Sequence, residues 1–308
     1  MKIAFVFPGQ GSQFVGMGKD LYDSFEEAKV VYKEASEVLG YDIADLSFNG
    51  PKDELNRTVR TQPCLLTASY AAFKALSSKG ITPAFVAGHS LGEFTAVTAS
   101  GVISFKDAVR LTEKRGRFMQ EAVPEGKGLM AAILGLERDQ VNRICDSVSS
   151  GYAAAANFNC PGQIVIAGEK GAVEEAIKLA REAGAKRAIP LAVSVPSHCR
   201  LMADASSRLS ELLDGIDLQE PQIQIVNNAD AAFLESPDEI RSSLVRQLNS
   251  PLLWEDSVKN MTKKGVDTII EVGPKKVLSG LIKRIAPEVK ILNVEDPKSL
   301  EKTLNVLA

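Results

Sequence analysis

The stretch Ala84 to Ala99, AFVAGHSLGEFTAVTA, holds the residue types best arranged to do chemistry. A short apolar run ends in Gly88, His89, Ser90, Leu91 and Gly92, and the residues that follow have helical character. That is G-x-S-x-G between a strand and a helix. In such a setting the serine occupies a strained turn that lifts its hydroxyl above the sheet, and the glycines let neighbouring backbone pass close by. The helix then points its first N–H groups back at the same spot. An oxyanion forming there would meet the N–H of Leu91 and the positive end of the helix dipole. Ser90 is therefore the candidate nucleophile.

A serine hydroxyl is a poor nucleophile until a base takes its proton, and the chain has only two histidines, His89 and His198. Side chains of neighbours at a tight turn diverge, so His89 is badly placed to reach the Ser90 oxygen and reads as a structural histidine. His198 closes VSVPSH, a strand end that breaks into a loop at Pro196, where catalytic side chains are usually carried. It is the expected base. No acid in the usual Ser…Asp…His order is evident in the larger part of the chain. An Asp after His198, such as Asp230, remains open as its partner.

Arg115 is the third residue of interest. Ser104 with Asp107 resembles a capping box for a helix running to about Ala122, on which Ala108, Leu111, Arg115, Phe118 and Ala122 recur at steps of three and four. The guanidinium thus lies on an apolar face, and its helical neighbours Leu111, Thr112, Phe118 and Met119 offer no anion. Either a remote carboxylate or the carboxylate of a substrate must match it. Near the start, Ile3 to Phe7 ends in PGQGSQ, a tight loop at the carboxyl end of a strand, where open α/β sheets bind ligands. Gln10 sits there, within reach of a neighbouring strand's loop. No phosphate-binding glycine pattern occurs in it. Asn159, in the turn-rich stretch Asn159 to Gly162, is either a hydrogen-bond donor to the site or an ordinary turn asparagine.

These strings carry a resemblance when taken together. FPGQGSQ (Phe7 to Gln13), TQP (Thr61 to Pro63), GHSLGE (Gly88 to Glu93), KRGRFMQ (Lys114 to Gln120), NCPGQIVIAG (Asn159 to Gly168), VPSH (Val195 to His198) and EVGP (Glu271 to Pro274) resemble, in this order, the malonyl-CoA:acyl carrier protein transacylases. The likeness runs from residue 3 to about residue 280. It implies that the backbone N–H groups of Gln10 and Leu91 hold the oxyanion and that Arg115 grips the free carboxylate of malonate, a bidentate task for which lysine is a poor substitute. It also implies that the backbone carbonyl of Gln247, in QLNSPLLW, orients His198 in place of a carboxylate. Lys275 stands where the family has a glycine after EVGP.

The elements that must position these residues follow from length and pattern. At 308 residues, with 45% hydrophobic, 24% charged and 6% aromatic residues, the chain is of ordinary globular composition and long enough for one large domain with a smaller one inserted. A net charge of −3 offers no general pull on nucleic acid or anionic lipid, so neither is an expected partner. Cys64, Cys145, Cys160 and Cys199 form no CxxC pair and no metal spacing, so a reduced, cytoplasmic setting, no metal and no cofactor are expected. No signal peptide is recognisable, and no apolar run approaches the ~20 residues of a membrane span.

Ile3 to Phe7 reads as a central parallel strand. Phe25 to Leu39 and Pro63 to Leu76 read as helices. Residues 126 to 197 read as an insert: strand Leu129 to Leu134, helix Glu137 to Val148, strand Tyr152 to Phe158, strand Gln163 to Ala167, helix Ala172 to Ala183, strand Lys186 to Val193. That is βαββαβ, a ferredoxin-like unit. Beyond it come a helix (Leu201 to Leu213), a strand (Ile223 to Val226), a helix (Asp238 to Gln247) and a strand (Asp267 to Val272). The expected fold is an α/β-hydrolase-like domain with a parallel sheet, residues 1–125 and 198–308, interrupted by the insert at 126–197. The site should lie in the cleft between them.

The function implied is transfer of a malonyl group from malonyl-CoA to the phosphopantetheine thiol of acyl carrier protein, through a malonyl ester on Ser90, by a monomer. A lone transacylase points to fatty-acid synthesis. A general esterase shares the serine turn but has no need of an inward arginine. A non-catalytic carrier-binding subunit would have no reason to keep Ser90, His198, Arg115 and Gln10 together.

Overall fold

The computed structural model describes residues 1–191 and 195–307. Its organising strand is β1 (Ile3–Phe7), apolar along its whole length. Alternation along the strand sends its side chains to opposite faces, and both faces are covered. Phe5 and Phe7 pack into an apolar cluster that includes Leu65, Leu66 and Phe94, whereas Ala4 and Val6 pack into a second that includes Trp254, Val258 and Ile282. An open sheet buried on two sides is what a run without polar interruptions requires.

β1 is flanked in parallel by β2 (Phe85–Gly88) and by β9 (Thr268–Val272). β10 (Lys290–Val294) extends the sheet beyond β9, and β7 (Gln224–Val226) extends it beyond β2. The short β8 (Phe233–Leu234) closes that edge antiparallel to β7. The order of this six-stranded sheet is β10-β9-β1-β2-β7-β8.

Between β2 and β7 the chain builds a second sheet from β3 (Gly128–Leu134), β4 (Ala153–Cys160), β5 (Gln163–Glu169) and β6 (Arg187–Pro190), all antiparallel, in the order β4-β5-β3-β6. Helices Arg138–Ser147 and Lys170–Glu182 cover one of its faces, and Val141, Val173 and Ile177 share a separate apolar cluster with Ile133 and Ile166. The last strand expected of the insert reaches to Val193. β6 spans Arg187–Pro190, and Ala192 and Val193 lie outside the described residues.

The helix carrying Arg115 spans Phe105–Ala122. Ser104 caps it: its hydroxyl accepts from the Asp107 N–H at 3.1 Å and donates to the Asp107 carboxylate at 2.6 Å. The helix expected from Pro63 starts a turn and a half earlier, at Thr58. Its first turn packs against the Phe105–Ala122 helix so closely that a Cβ on Gly116 would lie 2.7 Å from the Thr58 carbonyl oxygen. Tertiary contact there outweighs the cost of a proline inside the helix.

Candidate active site

Ser90 lies between the end of β2 and helix Leu91–Ala99 with φ 53 and ψ −106, in the left-handed region that side chains resist. Two glycines make the turn possible. A Cβ on Gly88 would overlap the Gly92 carbonyl and the Glu93 nitrogen, and one on Gly92 would overlap the Phe7 carbonyl of β1. The sharp turn is thus fixed by close backbone approach on both sides.

His198 reaches that serine. Its Nε2 lies 2.8 Å from Ser90 Oγ, and its Nδ1 lies 2.8 Å from the backbone carbonyl of Gln247. A carbonyl can only accept, so Nδ1 carries the hydrogen and Nε2 is left bare toward the serine hydroxyl. Burial, with the Arg115 charge second, pushes the imidazole down to about 3, so it stands neutral and ready to accept a proton. Asp230 is not its partner. That carboxylate is bound by Arg246 at 2.7 and 2.8 Å and by the Asn227 amide at 2.9 Å, away from the histidine.

Arg115 is 1% exposed, and its Nη2 stands 3.3 Å from Ser90 Oγ. Nη1 donates to Gln62 Oε1 at 2.8 Å and Nη2 to Gln247 Oε1 at 2.9 Å, both uncharged acceptors, and the ring of Phe94 lies 5.0 Å away. Nε finds no acceptor among the described residues. The nearest acid, Glu93, makes no direct contact; the Gln247 amide stands between them, donating to Glu93 Oε2 at 2.8 Å. A buried guanidinium held by neutral groups leaves its charge to be matched by an anion.

Gln10, in the loop after β1, ties its side chain to Thr58 Oγ1 at 3.2 Å. Among the described residues neither its backbone N–H nor that of Leu91 meets an acceptor in the protein. His89 points elsewhere, as its neighbourhood in the turn requires: Nε2 is 2.8 Å from Asn159 Oδ1, and its ring meets Trp254 edge-on at 5.7 Å. Asn159 belongs to β4 rather than to a loop, because the hairpin turn needs only Pro161 and Gly162 and the strand continues to Cys160 across a bulge. Ser90, His198, Arg115, Gln10 and Asn159 line one cleft, whose opposite wall is Met130 and Val165 of the smaller sheet. The cleft between the two sheets is where the ends of the insert place it.

The arrangement is a serine with a base and two unclaimed N–H groups beside it, which equips it for acyl transfer. Sequence comparison agrees: residues 4–296 match the model of the acyl transferase domain. The malonyl CoA-acyl carrier protein transacylase of Bacillus subtilis strain 168 is 47% identical, with 99% of this chain and 97% of that protein covered. The protein of the same name from Escherichia coli K12 is 48% identical, with 99% of each chain covered. This chain belongs to the malonyl-CoA:acyl carrier protein transacylase family. Among solved transacylases, one in complex with a type II PKS acyl-carrier protein superposes with a TM-score of 0.97 at 48% identity, over 99% of this chain and 100% of that one. The acyl carrier protein S-malonyltransferase of Vibrio cholerae superposes with a TM-score of 0.96, also at 48% identity, over 98% of this chain and 100% of that one.

Against the family pattern the departure at Lys275 has a visible consequence. Lys275 takes φ 64, a conformation glycine enters freely, and is held in it by its N–H on Glu295 Oε2 at 2.9 Å and its Nζ on the Gly11 carbonyl at 3.2 Å. The loop holds this conformation without a glycine. Glu271 of EVGP accepts from the N–H groups of Leu278 and Ser279 at 3.0 and 2.7 Å, which fixes the helix Val277–Ile285 that forms part of the cleft wall. Sequence reasoning missed Gln62, Glu93 and Asn228. Gln62 and Glu93 sit inside strings that were legible, TQP and GHSLGE, but the partners that give them meaning are distant in sequence. No helix among the described residues is long and apolar enough to cross a membrane.

Proposed function

We propose that the chain transfers malonyl groups from malonyl-CoA to the phosphopantetheine thiol of an acyl carrier protein by a two-step exchange through a malonyl ester of Ser90. The observation that carries this reading is Arg115: a buried guanidinium with only neutral partners, 3.3 Å from the serine oxygen, suits an acyl group that ends in a carboxylate. In the first step Ser90 Oγ attacks the thioester carbonyl while His198 Nε2 takes its proton. The N–H groups of Gln10 and Leu91 receive the oxyanion, and the imidazolium, steadied at Nδ1 by the Gln247 carbonyl, returns the proton to the departing CoA sulfur. In the second, the carrier thiol gives its proton to His198 and attacks the ester, and the proton passes back to Ser90 Oγ. The thioester supplies the activation, and no step calls on a cofactor. Asn159, on the cleft wall, is assigned to substrate binding.

The architecture supports the same reading. The strand order β4-β5-β3-β6 with two helices on one face is that of a ferredoxin-like unit, and we read residues 126–197 as such a subdomain set into an α/β-hydrolase-like domain. The product is the form of acyl group that chain-extending condensation in fatty-acid synthesis consumes.

The test is incubation with malonyl-CoA alone. The intact mass should rise by one malonyl group, the label should map to the peptide of Ser90, and added carrier thiol should remove it. Uptake of label by Ser90→Ala would overturn the assignment, and loss of label to water as fast as to carrier would point to hydrolysis.

A further inference from the structure

Behind Ser90 lies a side chain that the transfer scheme does not use. Asn228 follows β7, is wholly buried, and bridges the serine turn with both ends of its amide. Oδ1 accepts from the Ser90 N–H at 2.8 Å, and Nδ2 donates to the Gly88 carbonyl at 2.7 Å. Its own backbone is pinned in turn: the N–H donates to Glu93 Oε2 at 3.0 Å, and the carbonyl accepts from the Leu253 N–H at 2.8 Å.

We propose that Asn228 is the positioning residue of the nucleophile turn, holding Ser90 in its left-handed conformation and taking the Ser90 N–H out of the oxyanion site. The proposal rests on Ser90 being the nucleophile. A residue at φ 53 relaxes by rotating the peptides on either side of it; the one before Ser90 carries the Ser90 N–H, and the Gly88 carbonyl belongs to the peptide before that, so unwinding the turn from this side swings both groups. One amide grips both. The primary amide of Asn donates and accepts from one planar group, and here the bridge spans the residues on either side of His89. Because the Ser90 N–H is claimed, the developing oxyanion is left to Gln10 and Leu91, whose N–H groups meet no acceptor among the described residues. The sheet supplies the placement: Val226, two residues before Asn228, pairs with Ala87 just before Gly88.

The experiment follows single-turnover acylation of the full chain by rapid quench, with malonyl-CoA and with acetyl-CoA. The amplitude reports the fraction of correctly folded sites, and the rate constant reports the turn. Asn228→Ala should lower the rate constant by roughly 10- to 100-fold, the usual penalty for a misplaced reacting atom. The malonyl-CoA concentration for half-maximal rate should stay within about threefold, and the ratio of malonyl to acetyl rates should not change, since Asn228 meets the Arg115 partner Gln247 only at 3.5 Å, while Gln247 is also held by Glu93 at 2.8 Å and the Ser90 carbonyl at 2.9 Å. Asn228→Asp, of the same shape, keeps the acceptor for Ser90 N–H but loses the donor to Gly88, and should be slowed as well. A wild-type rate constant in either variant, or a loss confined to amplitude, would overturn the proposal. Ser90→Ala run in parallel separates the two claims: labelling of that variant would remove the nucleophile itself, whereas unlabelled Ser90→Ala beside a fast Asn228→Ala would remove only the positioning role.

Discussion

Ser90 and His198 both occupy left-handed backbone, at φ 53 and 62, so the two groups that exchange a proton in the proposed transfer are each held by strain that the surrounding fold offsets. The base is neutral by burial and by the neighbouring Arg115 charge. His198→Ala should slow acylation by roughly 10² to 10⁴, whereas His89→Ala, which touches Asn159 and Trp254, should act on stability. With the imidazole near 3 in the folded enzyme, kcat/KM for acylation should stay level as pH falls from about 8 to about 5. Arg115→Ala removes the second largest of the causes that lower the imidazole and should move the acid limb upward. The same variant tests selection. Losing the guanidinium strands a malonyl carboxylate but no part of an acetyl group, so the malonyl to acetyl ratio of kcat/KM should fall by on the order of 10² or more, and an unchanged ratio would make Arg115 structural. Ser90, His198 and Arg115 were legible because each was the single residue of its type in a telling place. Asn228 was not, since an asparagine after a strand looks like a turn former until β7 is known to lie beside β2.

At the scale of elements, the helix Leu91–Ala99 carries a second device. Glu93, in its first turn, is wholly buried beneath the nucleophile, and accepts from the Asn228 N–H, the Gln247 amide and the Ser243 hydroxyl at 3.0, 2.8 and 3.4 Å. Burial nevertheless pushes its carboxyl up to about 7. The folded state therefore binds a proton between about pH 4.5 and 7 that the unfolded chain does not, so this group's contribution to stability is present at low pH and lost as pH rises through 7. His198 works in the opposite sense, costing stability as pH falls below 6.5. Glu93→Gln keeps the acceptor for Asn228 and Gln247 and can donate to Ser243. Denaturation at two pH values should find it close to wild type near pH 5 and more stable by ~2–3 kcal/mol near pH 8. Equal stability at both would mean that its donors compensate the charge in full. Elements were legible where one pattern governed them, as in β1 and in the Ser104 cap. The helix Thr58–Ser77 was misjudged at its start because Pro63 resembles a first-turn proline, and that hidden turn and a half holds Thr58 and Gln62, which steady Gln10 and Arg115.

At the scale of the molecule, a net charge of −3 conceals a local excess of cations. Lys186, Arg187 and Arg284 border one surface depression beside the Pro161–Gly162 turn, and Lys275 lies in the loop between β9 and the helix Val277–Ile285. Arg117 and Lys276 meet carboxylates only at 3.9 Å. If these residues receive an acidic carrier, added salt should raise the KM for carrier far more than that for malonyl-CoA, and a carrier KM that does not move would count against them. The two sheets also differ in how far apart their partners lie along the chain. β3 to β6 find one another between residues 128 and 190, whereas in β1 Phe5 pairs with Val86 on one side and Ile270 on the other. As the chain leaves the ribosome, the smaller sheet can close while the central strand of the larger one still exposes a row of unpaired backbone groups. That open edge waits for β9, so a chain arrested at residue 250 would carry the four paired strands of the smaller sheet beside a larger sheet still lacking β9 and β10.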